Sequence, residues 1–110
     1  MISSTEKRLI GKRVVFVRKG EVTIEDFEVP QLKNGEVLIQ TVSSLISSGT
    51  ETAFLMALPN TPGVFPQYPG YSNAGIIIAT GNGVSEFKVG DRVVSQRSHA
   101  SHAIAPQRYP

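Results

Sequence analysis

The stretch that decides the fold is residues 83–94, which read Gly-Val-Ser-Glu-Phe-Lys-Val-Gly-Asp-Arg-Val-Val. The overlapping segment Gly81-Asn82-Gly83 is rich in residues that favour tight turns. A continuous apolar run, Ala74 to Thr80, precedes that turn, and Arg92 to Ser95 forms a second short run at the end of the stretch. Because the run 74–80 is apolar throughout, we expect a strand that is covered on both faces. These segments predict the core of a β-rich domain.

The amino-terminal third of the chain predicts a hairpin. Arg13 to Arg18 and Glu21 to Val29 are both β-prone, and they flank Gly20, whose backbone freedom suits a tight turn. Allowing for one shift of parity, we expect the interior face of the second run to carry Val22, Ile24, Phe27 and Val29, and the outer face to carry Glu21, Glu25 and Glu28.

The middle of the chain predicts one more strand, one helix and one irregular loop. Glu36 to Val42 is apolar enough for a buried strand. Thr50 to Leu58 places Phe54, Leu55 and Leu58 at helical spacing, and Pro59 ends that pattern. Pro59 to Gly70 contains four prolines, so we expect an ordered but irregular loop of the kind that often binds ligands.

Length and composition indicate one ordinary globular domain over residues 1–110. The chain has 40% hydrophobic and 18% charged residues and a formal net charge of +2. Its basic residues are scattered, which argues against nucleic acid as a partner. Met1 to Ile10 lacks the apolar core of a signal peptide, and no run approaches the roughly 20 apolar residues of a membrane span. With no cysteine present, the sequence fits a cytoplasmic location.

Four motifs, in this order, resemble one known family. They are Gly35-Glu36-Val37-Leu38-Ile39, Ser48-Gly49-Thr50-Glu51, Pro69-Gly70-Tyr71-Ser72-Asn73-Ala74-Gly75 and the run 83–94. The set is similar to the GroES-like amino-terminal domain of the medium-chain dehydrogenases/reductases, the superfamily of zinc-type alcohol dehydrogenases. The resemblance implies a mainly β fold, a partly open antiparallel barrel with one short helix.

The same resemblance implies a second domain, of the Rossmann type, that would bind NAD or NADP. A Gly-x-Gly-x-x-Gly fingerprint is missing here, since Gly81-Asn82-Gly83 stops at two glycines. We therefore expect the cofactor to be bound mainly by a nucleotide-binding domain that is absent from this chain. The implied partners are that domain and a small-molecule substrate, and the sequence leaves open whether the full-length protein forms a homodimer.

The positions of the catalytic zinc ligands are substituted. In zinc-dependent members a cysteine stands in the place of Ser48, and a histidine-glutamate pair stands in the places of Tyr71 and Ser72. Hydroxyl groups are poor zinc ligands at neutral pH. The resemblance therefore implies a zinc-independent branch with no metal ligands.

Thr50 is the first candidate catalytic residue. The family places a serine or threonine hydroxyl at this position, beside the substrate oxygen and the nicotinamide ribose, so the resemblance implies cofactor contacts from Ser48, Gly49 and Thr50. An ordinary structural alternative exists for this segment, because Ser48 and Glu51 have the spacing of a capping box at the start of a helix. Thr50 itself could have only a structural role, in the first turn of that helix.

Tyr71 is the second candidate catalytic residue, and it also has two interpretations. Its hydroxyl could donate a hydrogen bond to a carbonyl oxygen and so replace the missing metal. Alternatively, its ring could simply cover the end of a strand.

His99 and His102 lie three residues apart and raise the question of a metal site. Because the family has a strand here, on which an odd spacing sends two side chains to opposite faces, we expect surface or domain-junction histidines and no metal ligands.

Together these features predict the substrate-side domain of a zinc-independent, NAD(P)-dependent oxidoreductase acting on a small carbonyl, alcohol or activated alkene. Such a domain would not be competent alone. The alternative is a noncatalytic GroES-like binding or assembly module that kept the barrel and lost the chemistry.

The substituted ligand positions predict that the purified protein holds no stoichiometric zinc, because serine and tyrosine hydroxyls cannot replace thiolate and imidazole donors. Elemental analysis by mass spectrometry measures this directly. One tightly held zinc ion per chain would contradict the prediction.

Overall fold

The computed structural model describes residues 8–108. Interpretations of the charged amino-terminal segment before Arg8 lie outside the described residues. The elements, in chain order, are β1 (Ile10–Arg18), β2 (Glu21–Glu28), β3 (Glu36–Ser44), α1 (Ser48–Leu55), β4 (Asn73–Thr80), β5 (Arg92–Ser95) and β6 (His102–Pro106).

The strands form two antiparallel sheets. One is the predicted hairpin of β1 and β2, and the other has four strands in the order β5-β4-β3-β6. Isolated bridges from Arg13 to Ala100 and from Phe16 to Gln67 fasten the hairpin to the rest of the chain. Within residues 8–108 the sheets do not close into a complete ring, and one helix is present. The predicted mainly β, partly open barrel with one short helix is confirmed.

The centre of the core lies on the four-stranded sheet. Val37 and Ile39 of β3 and Ile77 of β4 are fully buried, and alternate residues of β6 join them. Three residues from the decisive stretch, Val84, Phe87 and Val93, pack against this cluster. The stretch thus covers the core with these three side chains, whereas its other two valines, Val89 and Val94, are exposed.

The interior face predicted for β2 is partly wrong. Val22 and Ile24 are 54% and 65% exposed, whereas Phe27 is half-buried and Val29 is buried. β2 pairs with β1 without a bulge from Val22 to Glu28, so side chains alternate strictly and the expected parity shift does not occur. Val22 and Ile24 consequently share the outer face, and Glu25 is half-buried on the other face.

Strand β4 is covered on one face only, contrary to the prediction for its apolar run. Ile77 is fully buried, but Ile76 is 37% exposed. The face that carries Ile76 forms an open depression together with Val42 of β3 and Val94 of β5. Because β4 lies in an antiparallel sheet, the usual alternation of side chains holds even where every residue is apolar.

The helix begins two residues earlier and ends three residues earlier than the predicted span of 50–58. Turns follow it, and Ala57 has a φ of 52°, which ends helical geometry before Pro59. The segment 59–70 is irregular, as predicted, apart from the bridge at Gln67. In the part of the chain that the structure describes, no helix is long and apolar enough to cross a membrane.

The close approach of β4 to β3 predicts that Gly75→Ala is strongly destabilising. A Cβ at this position would lie 2.6 Å from Cγ2 of Ile39 and would also meet the carbonyl oxygen of Gln40. We expect a loss of about 3 kcal/mol in the free energy of unfolding, measured by chemical denaturation, because backbone atoms cannot move aside cheaply.

Gly49→Ala is the matched control. A Cβ there meets nothing within 4 Å, and the residue lies in α1, where alanine is preferred by about 0.5–1 kcal/mol. Equal stability of the two variants would show that the approach of β4 to β3 is not as close as described.

Candidate functional site

A pocket of about 420 Å³ lies between α1 and the loop 59–70. Its size is within the usual range for small-molecule sites. The apolar walls are formed by Phe16, Phe54, Tyr68, Tyr71, Pro62 and Val64. The polar lining includes Thr50, Glu51 and Gln67. The pocket therefore offers aromatic surface to a ligand, with a few polar groups that could fix its orientation.

Both candidate catalytic residues line this pocket. Thr50 lies exposed in the first turn of α1, and Tyr71 is 52% exposed at the end of the loop 59–70. Tyr71 is not turned into the core. Ser48 and Gly49, which were expected to contact a cofactor, are exposed in the same helical turn but do not line the pocket. The structure thus brings Thr50 and Tyr71 together and leaves the other two residues outside.

A buried histidine stands behind the pocket. His99 is 8% exposed, and both of its ring nitrogens have partners. Nδ1 lies 2.6 Å from the hydroxyl oxygen of Ser44, and Nε2 lies 2.9 and 3.1 Å from the two carboxylate oxygens of Glu51. Glu51 is itself a lining residue, so a continuous hydrogen-bonded chain joins Ser44 on β3, through His99, to the pocket.

The backbone of His99 is bonded as well. Its N–H donates to the carbonyl of Pro69 at 2.9 Å, and its carbonyl accepts from the N–H of Val14 at 3.0 Å. Gly70 has a φ of 101°, and a Cβ there would lie 2.8 Å from the imidazole ring. Glycine at position 70 therefore lets the pocket loop rest directly on His99.

His99 is not a surface histidine, because it precedes β6 and its ring is buried against the pocket loop, α1 and β3. His102 opens β6, is half-buried and contacts the hydroxyl of the adjacent Ser101. Residues 8–108 contain no group of three or more histidine, aspartate or glutamate side chains that could hold a metal ion. A buried histidine with two polar partners carries no sequence signal, since both partners are distant in the chain.

The capping-box prediction is wrong about Ser48. Ser47 is the cap, its side chain makes no capping bond, and its carbonyl accepts from the N–H of Glu51 at 2.8 Å. The reciprocal half of the box is present in a shifted form, because the Glu51 carboxylate accepts from the N–H of Ser47 at 2.9 Å. The helix begins one residue earlier than the pattern implied, which moves Glu51 to the fourth helical position.

The residues at the expected zinc positions do not fit zinc. Ser48 and Tyr71 offer hydroxyl groups and are exposed, and neither a thiolate nor an imidazole stands with them. His99 is already engaged on both ring nitrogens.

The described residues do not fit a dinucleotide cradle either. The Gly81–Gly83 segment is a turn that follows β4 and leads into no helix. The first turn of α1 carries the acidic Glu51, whose charge opposes that of a phosphate. Neither of these two segments therefore provides a phosphate cradle.

Comparison with known proteins gives consistent matches. Residues 33–108 match the family described as the alcohol dehydrogenase GroES-like domain. The chain is 33% identical over 96 residues to an alcohol dehydrogenase class-3 of Drosophila melanogaster, covering 86% of this chain and 25% of that protein. It is 32% identical over 81 residues to an S-(hydroxymethyl)glutathione dehydrogenase of Haemophilus influenzae, covering 74% of this chain and 21% of that protein.

A solved structure shares the fold. The crystal structure of CAD from Helicobacter pylori, complexed with NADP(H), superposes with a TM-score of 0.78 at 19% identity, covering 94% of this chain and 41% of that one. The chain spans between a fifth and a quarter of the length of the two curated relatives named above.

The bonding of His99 predicts that His99→Ala lowers the free energy of unfolding by about 2 to 4 kcal/mol, because Glu51 and Ser44 lose their buried partner. Thermal and chemical denaturation measure this loss. His102→Ala is the matched control, since among the described residues its ring hydrogen-bonds only to the neighbouring serine hydroxyl, and we expect a loss of about 1 kcal/mol or less. Similar losses in both variants would contradict the role assigned to His99.

Proposed function

The chain belongs to the alcohol dehydrogenase GroES-like domain family, and we propose that it is the substrate-side domain of a zinc-independent, NAD(P)-dependent oxidoreductase of the cytoplasm. Relatives named as alcohol and S-(hydroxymethyl)glutathione dehydrogenases support the oxidoreductase class. The nicotinamide cofactor accepts or supplies the hydride in such enzymes. A separate Rossmann domain would hold that cofactor, because the described part of this chain offers no phosphate cradle.

The observation that carries the proposal is the meeting of Thr50 and Tyr71 in one pocket. The two residues are 21 positions apart in the sequence, one on α1 and one after the loop, yet both line the same cavity. A zinc-free carbonyl site needs donors where negative charge develops on oxygen. Thr50 and Tyr71 would donate hydrogen bonds to the substrate oxygen, and the aromatic walls would exclude water around it.

The lining favours an apolar substrate. Four aromatic rings face the pocket, from Phe16, Phe54, Tyr68 and Tyr71, and the polar groups are few. A sugar would need a hydrogen-bond partner for most of its hydroxyl groups, because unpaired polar groups are costly to bury. We therefore propose a small alcohol or carbonyl compound with a planar apolar body.

A noncatalytic binding module is the rival proposal. Two features of the sequence support it: the lack of a dinucleotide-binding fingerprint and the substitution of the zinc-ligand positions. The two proposals differ in what the pocket hydroxyls do: an enzyme needs their hydrogen bonds for turnover, whereas a module needs at most the shape of the cavity.

In a full-length enzyme carrying this domain, Thr50→Val is expected to lower turnover by about 10²- to 10³-fold at nearly unchanged stability, because it removes a donor and keeps the shape. Tyr71→Phe should act in the same direction. Steady-state kinetics with NADPH and an aromatic aldehyde measure the effect.

Thr52→Val provides the matched control, since Thr52 is exposed on the same helix and does not line the pocket. Turnover that stays at the wild-type value in both the Thr50 and Tyr71 variants would contradict the catalytic assignment and leave the binding module as the better account.

A further inference from the structure

The carboxylate of Glu51 has hydrogen-bonding capacity that the protein does not use. An ionised carboxylate can accept at about four lone-pair sites. Within residues 8–108 the donors to Glu51 are the N–H of Ser47, at 2.9 Å, and Nε2 of His99, at 2.9 and 3.1 Å. Oε2 accepts from both donors, whereas Oε1 accepts from His99 alone, so one lone-pair site on Oε1 is still free to accept.

The location of Glu51 decides where a further donor could come from. Its side chain is only 12% exposed, yet the residue lines the aromatic pocket beside Thr50. Among the described residues His99 is the one basic side chain within 4 Å of this carboxylate, and no lysine or arginine pairs with it. A carboxylate with a free lone-pair site beside a mainly aromatic cavity attracts a donor, because a hydrogen bond to a charged acceptor is roughly twice as strong as a neutral one.

We propose that Glu51 is a specificity-determining residue that accepts a hydrogen bond from a hydroxyl group on the ligand, so that the pocket selects an aromatic alcohol over an aromatic compound without a donor. This inference rests on the proposed function for its ligand class. It deepens that function by favouring one of the proposed substrate classes: an alcohol supplies the donor that Glu51 accepts, whereas a carbonyl compound or an activated alkene without a hydroxyl leaves Glu51 unpartnered.

His99 is the positioning residue for this carboxylate. Its Nε2 bridges both oxygens of Glu51, and Ser44 fixes the other ring nitrogen at 2.6 Å. The ring cannot swing toward Gly70, where the loop already lies against it. Ser44 and His99 thus hold Glu51 in one orientation, as a third group orients the base in a catalytic triad.

Two isomeric probes test the proposal. Benzyl alcohol and anisole have the same atoms and the same ring, but only benzyl alcohol carries an O–H donor. We expect both to shift the amide resonances of pocket residues in the isotope-labelled chain, with benzyl alcohol binding about tenfold more tightly, as a hydrogen bond to a charged group predicts. Equal affinities in the wild-type chain would overturn the proposal, as would failure of both probes to shift the pocket resonances.

The ratio of the two affinities is the readout for the variants, because a general weakening of the pocket changes both affinities alike. Glu51→Gln removes the charge at nearly constant shape and should reduce the ratio to about twofold or less. His99→Gln should reduce it as well, by releasing the carboxylate, while His102→Gln should leave it unchanged. If the Glu51→Gln chain kept the wild-type affinity ratio, the specificity role of Glu51 would be wrong. If the His99→Gln chain kept it, the positioning role of His99 would be wrong.

The wild-type comparison needs no variant to fold, so it tests the proposal even if a substitution at the buried pair unfolds the chain. The measurement also uses no cofactor. An inactive full-length enzyme would refute the proposed function while leaving the affinity ratio intact, and equal affinities in an active enzyme would refute only the role of Glu51.

Discussion

The site depends on one buried imidazole. His99 joins four segments that are far apart in the sequence: its carbonyl bonds β1, its backbone N–H bonds the pocket loop at Pro69, and its ring bonds Ser44 on β3 and Glu51 on α1. The core cluster on β3, β4 and β6 stabilises the sheet, but it includes no residue of α1 or of the loop 59–70. The hydrogen bonds of His99 tie these two walls of the pocket to the sheet, and buried bonds of this kind are costly to break.

The architecture could be predicted from the sequence wherever a local pattern decides it. The turn at Gly20, the end of the helix before Pro59 and the apolar runs of β3 and β4 all carry their own signal. Predictions failed where the answer depends on distant residues. Val22 and Ile24 are as apolar as Phe27, and only the unbroken pairing with β1 decides which of them faces outward. The open face at Ile76 likewise follows from the neighbouring strands and not from its own composition.

The candidate site could likewise be predicted only where a local pattern points to it. Motifs point to Thr50 and Tyr71, and both line the pocket, although their catalytic roles stay a prediction. The spacing of Ser48 and Glu51 also permits a local capping box. In the fold, Glu51 also bonds a histidine 48 positions away and faces the cavity. A pairing over that distance has no periodicity to reveal it, so a residue with an ordinary local explanation turned out to have a second set of contacts.

We propose that this chain forms the substrate wall of an oxidoreductase site while another domain holds the nucleotide. Calorimetric titration with NADPH tests it most directly, using the chain alone and a longer protein in which a nucleotide-binding domain follows it. We expect micromolar affinity for the longer protein and no micromolar affinity for the chain alone. Micromolar binding of NADPH by the chain alone, or its absence in the longer protein, would contradict this division of roles between the two domains.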